Sequence, residues 1–307
     1  MSDTTAAAPL TSEQTGRLIR RATYASVAVA SSLIGLKVMA WTVTGSVSVL
    51  SSLMDSLLDA LASAINFWAV GRALKPPDRN HRYGHGKLEA VSALIQSAII
   101  TASSAYIIYE SVQRFSEPRQ VEQGAVGILV MVISIVMTLA LVTYQKHVVR
   151  QTHSLAIDSD QLHYTGDLLM NATIIVSLLF SHYLRITWVD PLFGLLIAGY
   201  IFNAARQITT GALDMLMDRE LADEIRQDVL TIARSVPRVE DVHDLRTRRS
   251  GHRYLVQIHV EVDPLTSLRE AHQVSEKVQE KIVQAYPQME IFIHLDPAGE
   301  GDPQDDF

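Results

Sequence analysis

Two aspartates four residues apart, Asp55 and Asp59, stand in the apolar run SSLMDSLLDALAS. In a helix that spacing puts both carboxylates on one face. If the helix crosses a bilayer, each acid costs about 2.5–3.5 kcal/mol at the midplane unless something binds there. A second run, QLHYTGDLLMN, repeats the spacing with His163 and Asp167. Brought face to face, the two pairs supply three carboxylates and one imidazole, enough for a closed four-coordinate site suited to Zn²⁺ or a neighbouring divalent ion. The competing reading is a wet cavity, or pairing with Lys37 of the first apolar segment. One lysine neutralises one acid, not three.

Two further groups have metal-ligand chemistry. In KPPDRNHRYGHGKLE, Asp78, His81 and His85 are spaced so that one turn presents three N/O ligands, with Gly84 and Gly86 permitting the bend. A solvated polar loop with basic residues reads the same way. Nearer the C-terminus, His243, His259, His272, His294 and Asp296 are dispersed over predicted strands and a helix that could meet. His294 and Asp296 share a strand face, and His259 shares one with Gln257 and Glu261, opposite Val256, Ile258, Val260 and Val262. These histidines therefore point away from the core, as a second metal site or as ordinary surface residues. His147, His153, His182 and His252 read as loop residues. With no cysteine in the chain there is no disulfide, thiolate site or Cys nucleophile, so a transition metal must be held by His, Asp or Glu.

The elements that position these residues are mostly membrane segments. Of 307 residues 48% are apolar and 19% charged, unlike a typical soluble enzyme. Six runs are long enough to cross a hydrocarbon core as helices: 22–43, 46–72, 88–112, 122–145, 157–181 and 188–208. Lys and Arg concentrate at Arg17, Arg20 and Arg21, in the 2/3 loop (Arg72, Lys75, Arg79, Arg82, Lys87) and at Lys146 and Arg150. The opposite loops hold Arg114, Arg119 and Arg185, so the positive-inside rule puts both termini in the cytoplasm. Tyr106, Tyr109, Tyr144, Tyr183 and Trp188 fall near predicted helix ends, where an aromatic belt belongs.

From about residue 209 the pattern becomes that of a small soluble domain: helical spacing over 221–236, two alternating strands around Ser250-Gly251, a helix over 268–285 and a last strand in MEIFIHLDP. Residues 210–307 hold 20 of the 33 acids but 11 of the 26 bases, a net charge of −9, which argues against a nucleic-acid partner. The fold class expected is thus an α-helical membrane protein, six transmembrane helices followed by a cytoplasmic α+β domain of order αββαβ. Residues 1–15 read as a disordered tail without a signal-peptide pattern, 16–208 as the transport domain, 209–297 as the metal-binding and dimerisation domain, and 298–307 as a disordered acidic tail.

DSLLD on the second segment, HYTGD on the fifth, DRNHRYGHGKLE between the second and third, and VHDLRTR, QIHVEV and IHLDP in the tail together resemble the cation diffusion facilitator family, and within it the bacterial zinc and iron efflux subgroup. The similarity runs from about Gly16 to Pro297. It implies a transport site at Asp55, Asp59, His163 and Asp167, which also couples protons, and a 2/3 loop site at Asp78, His81 and His85. It further implies a binuclear cytoplasmic site drawing on His243, His259, His272, His294 and Asp296, and a charge interlock between Lys87 and Asp218. The implied protein is a homodimer with metallochaperone-like tails in the bacterial inner membrane, a secondary-active transporter and not an enzyme. Zn²⁺ is the expected substrate and regulatory ion, with Fe²⁺, Cd²⁺, Co²⁺ and Mn²⁺ left open by ligand type. Its partners are a second copy, divalent metals, protons and the lipid bilayer. Outside this class stand a metal-dependent membrane hydrolase and a non-transporting metal sensor.

Overall fold

The computed structural model describes residues 10–45, 47–116, 125–184 and 188–299, and they divide into two compact units, one within 17–213 and the other made of the residues from 214 on together with those up to Gly16. The first unit is helical: α1 (Ser12–Thr44), α2 (Val47–Ala73), α3 (Leu88–Ser116), α4 (Ala125–Thr152), α5 (Leu155–Leu184) and α6 (Val189–Leu216). Among the described residues, α1, α2, α3, α4 and α6 carry stretches long and apolar enough to cross a membrane. The 30-residue α5 is of like length, but its first half carries Asp158, Asp160, His163 and Asp167.

Polarity is inverted relative to a soluble bundle. Leu58, Leu61, Val136 and Leu196 are each about 60% exposed or more, while Ser56, Ser63, Asn66, Ser92, Gln96, Gln145, Ser159 and Asp160 are buried. Apolar side chains outside and small or hydrogen-bonding ones at helix contacts suit a lipid solvent, which rewards tight packing and internal polar bonds. Ser63 and Tyr164 bond at 2.8 Å, and the Asn66 amide donates to the Ala156 carbonyl at 3.3 Å, tying α2 to α5. Two glycines permit close approach. A Cβ at Gly194 of α6 would collide with the Ser111 hydroxyl of α3, and one at Gly166 would lie 3.1 Å from Ile201 Cδ1.

Helix ends differ from those expected. α1 starts ten residues before the apolar run, because Thr15, Ile19 and Ala22 recur at helical spacing and are buried. α6 runs past 208 to Leu216, there being no proline in TTGALDML to stop it. His147, expected in a loop, lies on α4 with its ring 3.2 Å from the Gln151 amide. His153, at φ 51°, makes the α4/α5 turn.

The second unit has the expected αββαβ order: α7 (Asp223–Arg234), β1 (Asp241–Ser250), β2 (Arg253–Val262), α8 (Leu268–Ala285) and β3 (Met289–Pro297). β1 and β2 pair antiparallel and β3 joins β2 in parallel, giving the sheet order β1-β2-β3. Val256, Ile258, Val260 and Val262 alternate inward and form one core with Val229 and Ala233 of α7 and Val274, Val278 and Ile282 of α8. Both helices therefore cover the same face of the sheet. Ser267 caps α8 in a reciprocal capping box with Glu270. The segment leading into α7 is fastened by Glu220, whose carboxylate accepts from the Thr247 amide at 2.9 Å and from its hydroxyl.

Candidate metal sites

In the helical unit, α2 presents Asp59 and α5 presents His163 and Asp167. One ligand atom from each lies within 4.8 Å of the others. His163 Nε2 is 3.1 Å from Asp59 Oδ1 and 4.0 Å from Asp167 Oδ2. The i, i+4 spacing of His163 and Asp167 stacks the two on one face of α5, and that face meets α2. The group lines a cavity of about 350 Å³ whose polar lining includes Asp55, Ser103 and Ser104. Asp55, one turn from Asp59, stands on the cavity wall and is exposed, outside the three-residue convergence. Lys37 is buried, and its ammonium donates to the Ser52 carbonyl at 3.0 Å and the Ser56 hydroxyl at 2.6 Å. Its hydrogen bonds are thus spent on α2 backbone and serine, not on a carboxylate. One carboxylate oxygen of Asp167 is buried without a hydrogen-bond partner. An orphaned anionic acceptor beside an imidazole and a second carboxylate is chemistry that a cation satisfies.

Between α2 and α3, Asp78, His81 and His85 also converge within 4.8 Å. Asp78 Oδ1 accepts from the Asn80 and His81 amides at 2.9 and 2.7 Å, and its other oxygen is 3.4 Å from His85 Nε2. The His81 amide leads these bonds in holding the exposed Asp78 carboxyl below the usual carboxylate range. Gly84, at φ +80°, makes the bend that brings the two imidazoles to a 4.4 Å centroid separation. Gly86 keeps an ordinary φ.

The third group spans the sheet of the second unit. β-pairing sets His243 opposite His259 and His259 beside His294. A ladder of three imidazoles results, with centroid separations of 5.3 and 4.7 Å. Asp296 serves as the hub: Oδ2 is 2.9 Å from His259 Nδ1 and 3.7 Å from His243 Nε2, while Oδ1 is 3.2 Å from His294 Nε2. All four side chains occupy the face opposite α7 and α8. His272 stands on α8, exposed and 3.5 Å from Glu276, and so falls on the other side of the sheet from the cluster.

Two carboxylates complete this cluster that motif spacing did not single out as ligands. Glu261 Oε1 lies 3.3 Å from His243 Nδ1, the arrangement by which a carboxylate orients a ligating imidazole. Asp244 Oδ2 lies 3.7 Å from His259 Nε2. In a regular strand Asp244 would point away from the face of its neighbour His243. An irregularity between His243 and Arg246, with Asp244 at φ 43°, redirects it. Asp218, expected to interlock with Lys87, has a carboxylate oxygen 3.3 Å from Arg248 Nη1.

A polytopic bundle with a partly buried His/Asp cluster on its cavity wall, followed by an α+β domain with its own His/Asp cluster, suits a membrane transporter for metal cations. The chain belongs to the cation efflux, or cation diffusion facilitator, family. Residues 23–217 match the cation efflux transmembrane domain and 221–298 the cytoplasmic domain of cation efflux proteins. It is 42% identical over 285 residues to the cation-efflux pump FieF of Klebsiella pneumoniae, covering 92% of this chain and 94% of that one. It is likewise 42% identical over 279 residues to the FieF pump of Shewanella oneidensis, covering 91% and 94%. It is therefore a multi-pass membrane transporter and not an enzyme.

Proposed function

We propose that this chain is a Zn²⁺/H⁺ antiporter that exports zinc from the cytoplasm by alternating access. The observation that carries the reading is the approach of His163 on α5 to Asp59 on α2, with Asp167 beside them, in a cavity inside the helical bundle. Imidazole and carboxylates bind metal when deprotonated, so metal entry releases protons and protons arriving from the other side displace the metal. Ligands divided between two helices let a relative movement of α2 and α5 open the site to one side at a time. Asp55, on the cavity wall one turn away, supplies the fourth ligand when the site closes around the ion. A His with carboxylates fits zinc in a tetrahedral site, and Fe²⁺, Cd²⁺, Co²⁺ and Mn²⁺ remain substrates to be compared.

In this reading the chain works as a homodimer in the bacterial inner membrane with both termini in the cytoplasm. Asp78, His81 and His85 bind a second ion at the cytoplasmic surface, and Lys87 and Asp218 interlock there. The ladder of His243, His259 and His294 with Asp296 holds regulatory metal, and His272 joins it from a second copy of the chain. Bound metal screens the acidic domains and lets two copies approach, which biases the membrane helices.

The test is zinc uptake into proteoliposomes under an imposed pH gradient. Gradient-driven uptake by the wild type that disappears in Asp59→Ala supports the antiporter. Flux of iron or manganese without zinc changes the substrate and keeps the class. Metal binding without any flux points to a sensor.

A further inference from the structure

Asp160 lies three residues before His163 on α5 and is fully buried. The Ser26 hydroxyl of α1 donates to Asp160 Oδ2 at 2.5 Å, and the Gln145 amide of α4 donates to the same oxygen at 2.6 Å. The Gln96 amide of α3 donates to Oδ1 at 3.3 Å, and Gln145 also donates to Ser26 at 2.9 Å. Three helices thus each send a neutral donor to one carboxylate. As hydrogen-bonded here the carboxylate accepts from all three partners, the pattern of an ionised acid, while the Gln96 and Gln145 amide oxygens stay buried without a partner. None of the three partners carries a compensating positive charge.

Such a group is an expensive way to tie helices together, because an amide in the same place would join them without burying a charge. The charge must act on something within reach. Two ionisable side chains, His163 and Tyr164, stand three and four residues along the same helix, a spacing that puts Cβ atoms about 5–6 Å apart. Asp59 and Asp167 converge with His163, whereas Asp160 faces its own cage of hydrogen-bond partners.

We propose that Asp160 is a positioning residue of the transport site, a fixed buried anion that strengthens the site's hold on a divalent cation through the low-dielectric interior without ligating it. The inference rests on the assignment of Asp59, His163 and Asp167 as the transport site. A charge about one helical turn away, poorly screened, acts twice as strongly on a divalent ion as on a monovalent one.

The experiment is the zinc-concentration dependence of transport by the full-length protein in proteoliposomes. Asp160→Asn keeps the shape of the cage and removes the charge. It is expected to raise KM for zinc roughly tenfold while the maximal rate stays within about threefold. Ser26→Ala removes one tie and keeps the charge, so it is expected to lower thermal stability and leave KM unchanged. Gln145→Lys neutralises Asp160 in place, is expected to raise KM as Asp160→Asn does, and serves if the asparagine variant does not fold. A KM within twofold of the wild type in folded Asp160→Asn or Gln145→Lys overturns the proposal, as does an equal rise in Ser26→Ala. Uptake abolished by Asp59→Ala together with unchanged KM in Asp160→Asn sinks this inference alone. A wild type that moves no Zn²⁺, Fe²⁺, Mn²⁺ or Cd²⁺ overturns it and the transport reading together.

Discussion

The membrane cluster and the sheet cluster use the same donors, imidazole and aspartate, on two different kinds of support. Asp59 and the His163/Asp167 pair belong to separate helices, so the distance between them changes whenever α2 and α5 move. His243, His259 and His294 belong to three neighbouring strands of one sheet, where backbone hydrogen bonds fix neighbours about 5 Å apart. In the proposed reading, equal chemistry on a movable support suits a site that is emptied on either side, and on a fixed support one that reports concentration.

That contrast breaks most sharply in the transporter assay. Asp59→Ala should lower gradient-driven zinc flux by about a hundredfold or more, because no sheet-borne ligand substitutes for a carboxylate in the cavity. Asp296→Ala removes the hub of the sheet cluster. It should weaken metal binding by the cytoplasmic domain about 10–100-fold while maximal flux stays within a fewfold, measured by zinc titration and by uptake at saturating zinc. Equal loss of flux in both variants would erase the division of labour. The rigidity of the ladder is tested by Ile258→Ala, which empties a fully packed position beneath it. The expected cost is about 2–5 kcal/mol, seen as a lowered unfolding midpoint of the cytoplasmic domain, with the membrane site still binding zinc.

Much of this was legible in the sequence because it follows from spacing. The i, i+4 pairs marked Asp59 and the His163/Asp167 face, and period-2 alternation put His259 and His294 on the face away from the core. What was hidden depends on partners far along the chain or on local irregularity. Asp160 stood three residues from His163 in plain view, but its meaning lies in Ser26, Gln96 and Gln145, up to 134 residues away. The signal available was a carboxylate in the first half of an apolar run, which Asp160 shares with Asp158 and which therefore singled out neither. Asp244 was unreadable because regular alternation assigns it to the wrong face, and nothing in VHDLRTR announces the irregularity that turns it. His272 shares its residue type with the ladder but rides on a helix that packs against the other side.

Two smaller effects sharpen the contrast from the side of the soluble domain. Ser267→Ala should destabilise that domain by about 1 kcal/mol through loss of the α8 cap, read from its unfolding midpoint with metal absent. The hydrogen bond from the Ser267 hydroxyl, with help from Arg238, holds the Glu270 carboxyl below its ordinary value. Its stabilising contribution is therefore present above about pH 4.3, the unfolded value, and fades as pH falls through the lower folded one. Wild type and Glu270→Gln should accordingly differ in stability at pH 7 and converge toward pH 3. A gap that widens on acidification would refute the assignment.

The sheet ends on one side in β1, a strand whose outer edge has no neighbour within the sheet. An open edge is a template for uncontrolled strand addition. Here its register is broken between His243 and Arg246, and Arg246, Arg248 and Arg249 crowd the stretch that follows. In the homodimer proposed above, two such domains held at high local concentration would thereby be discouraged from zipping into a continuous ribbon, and their association would be left to side chains and ions on the faces.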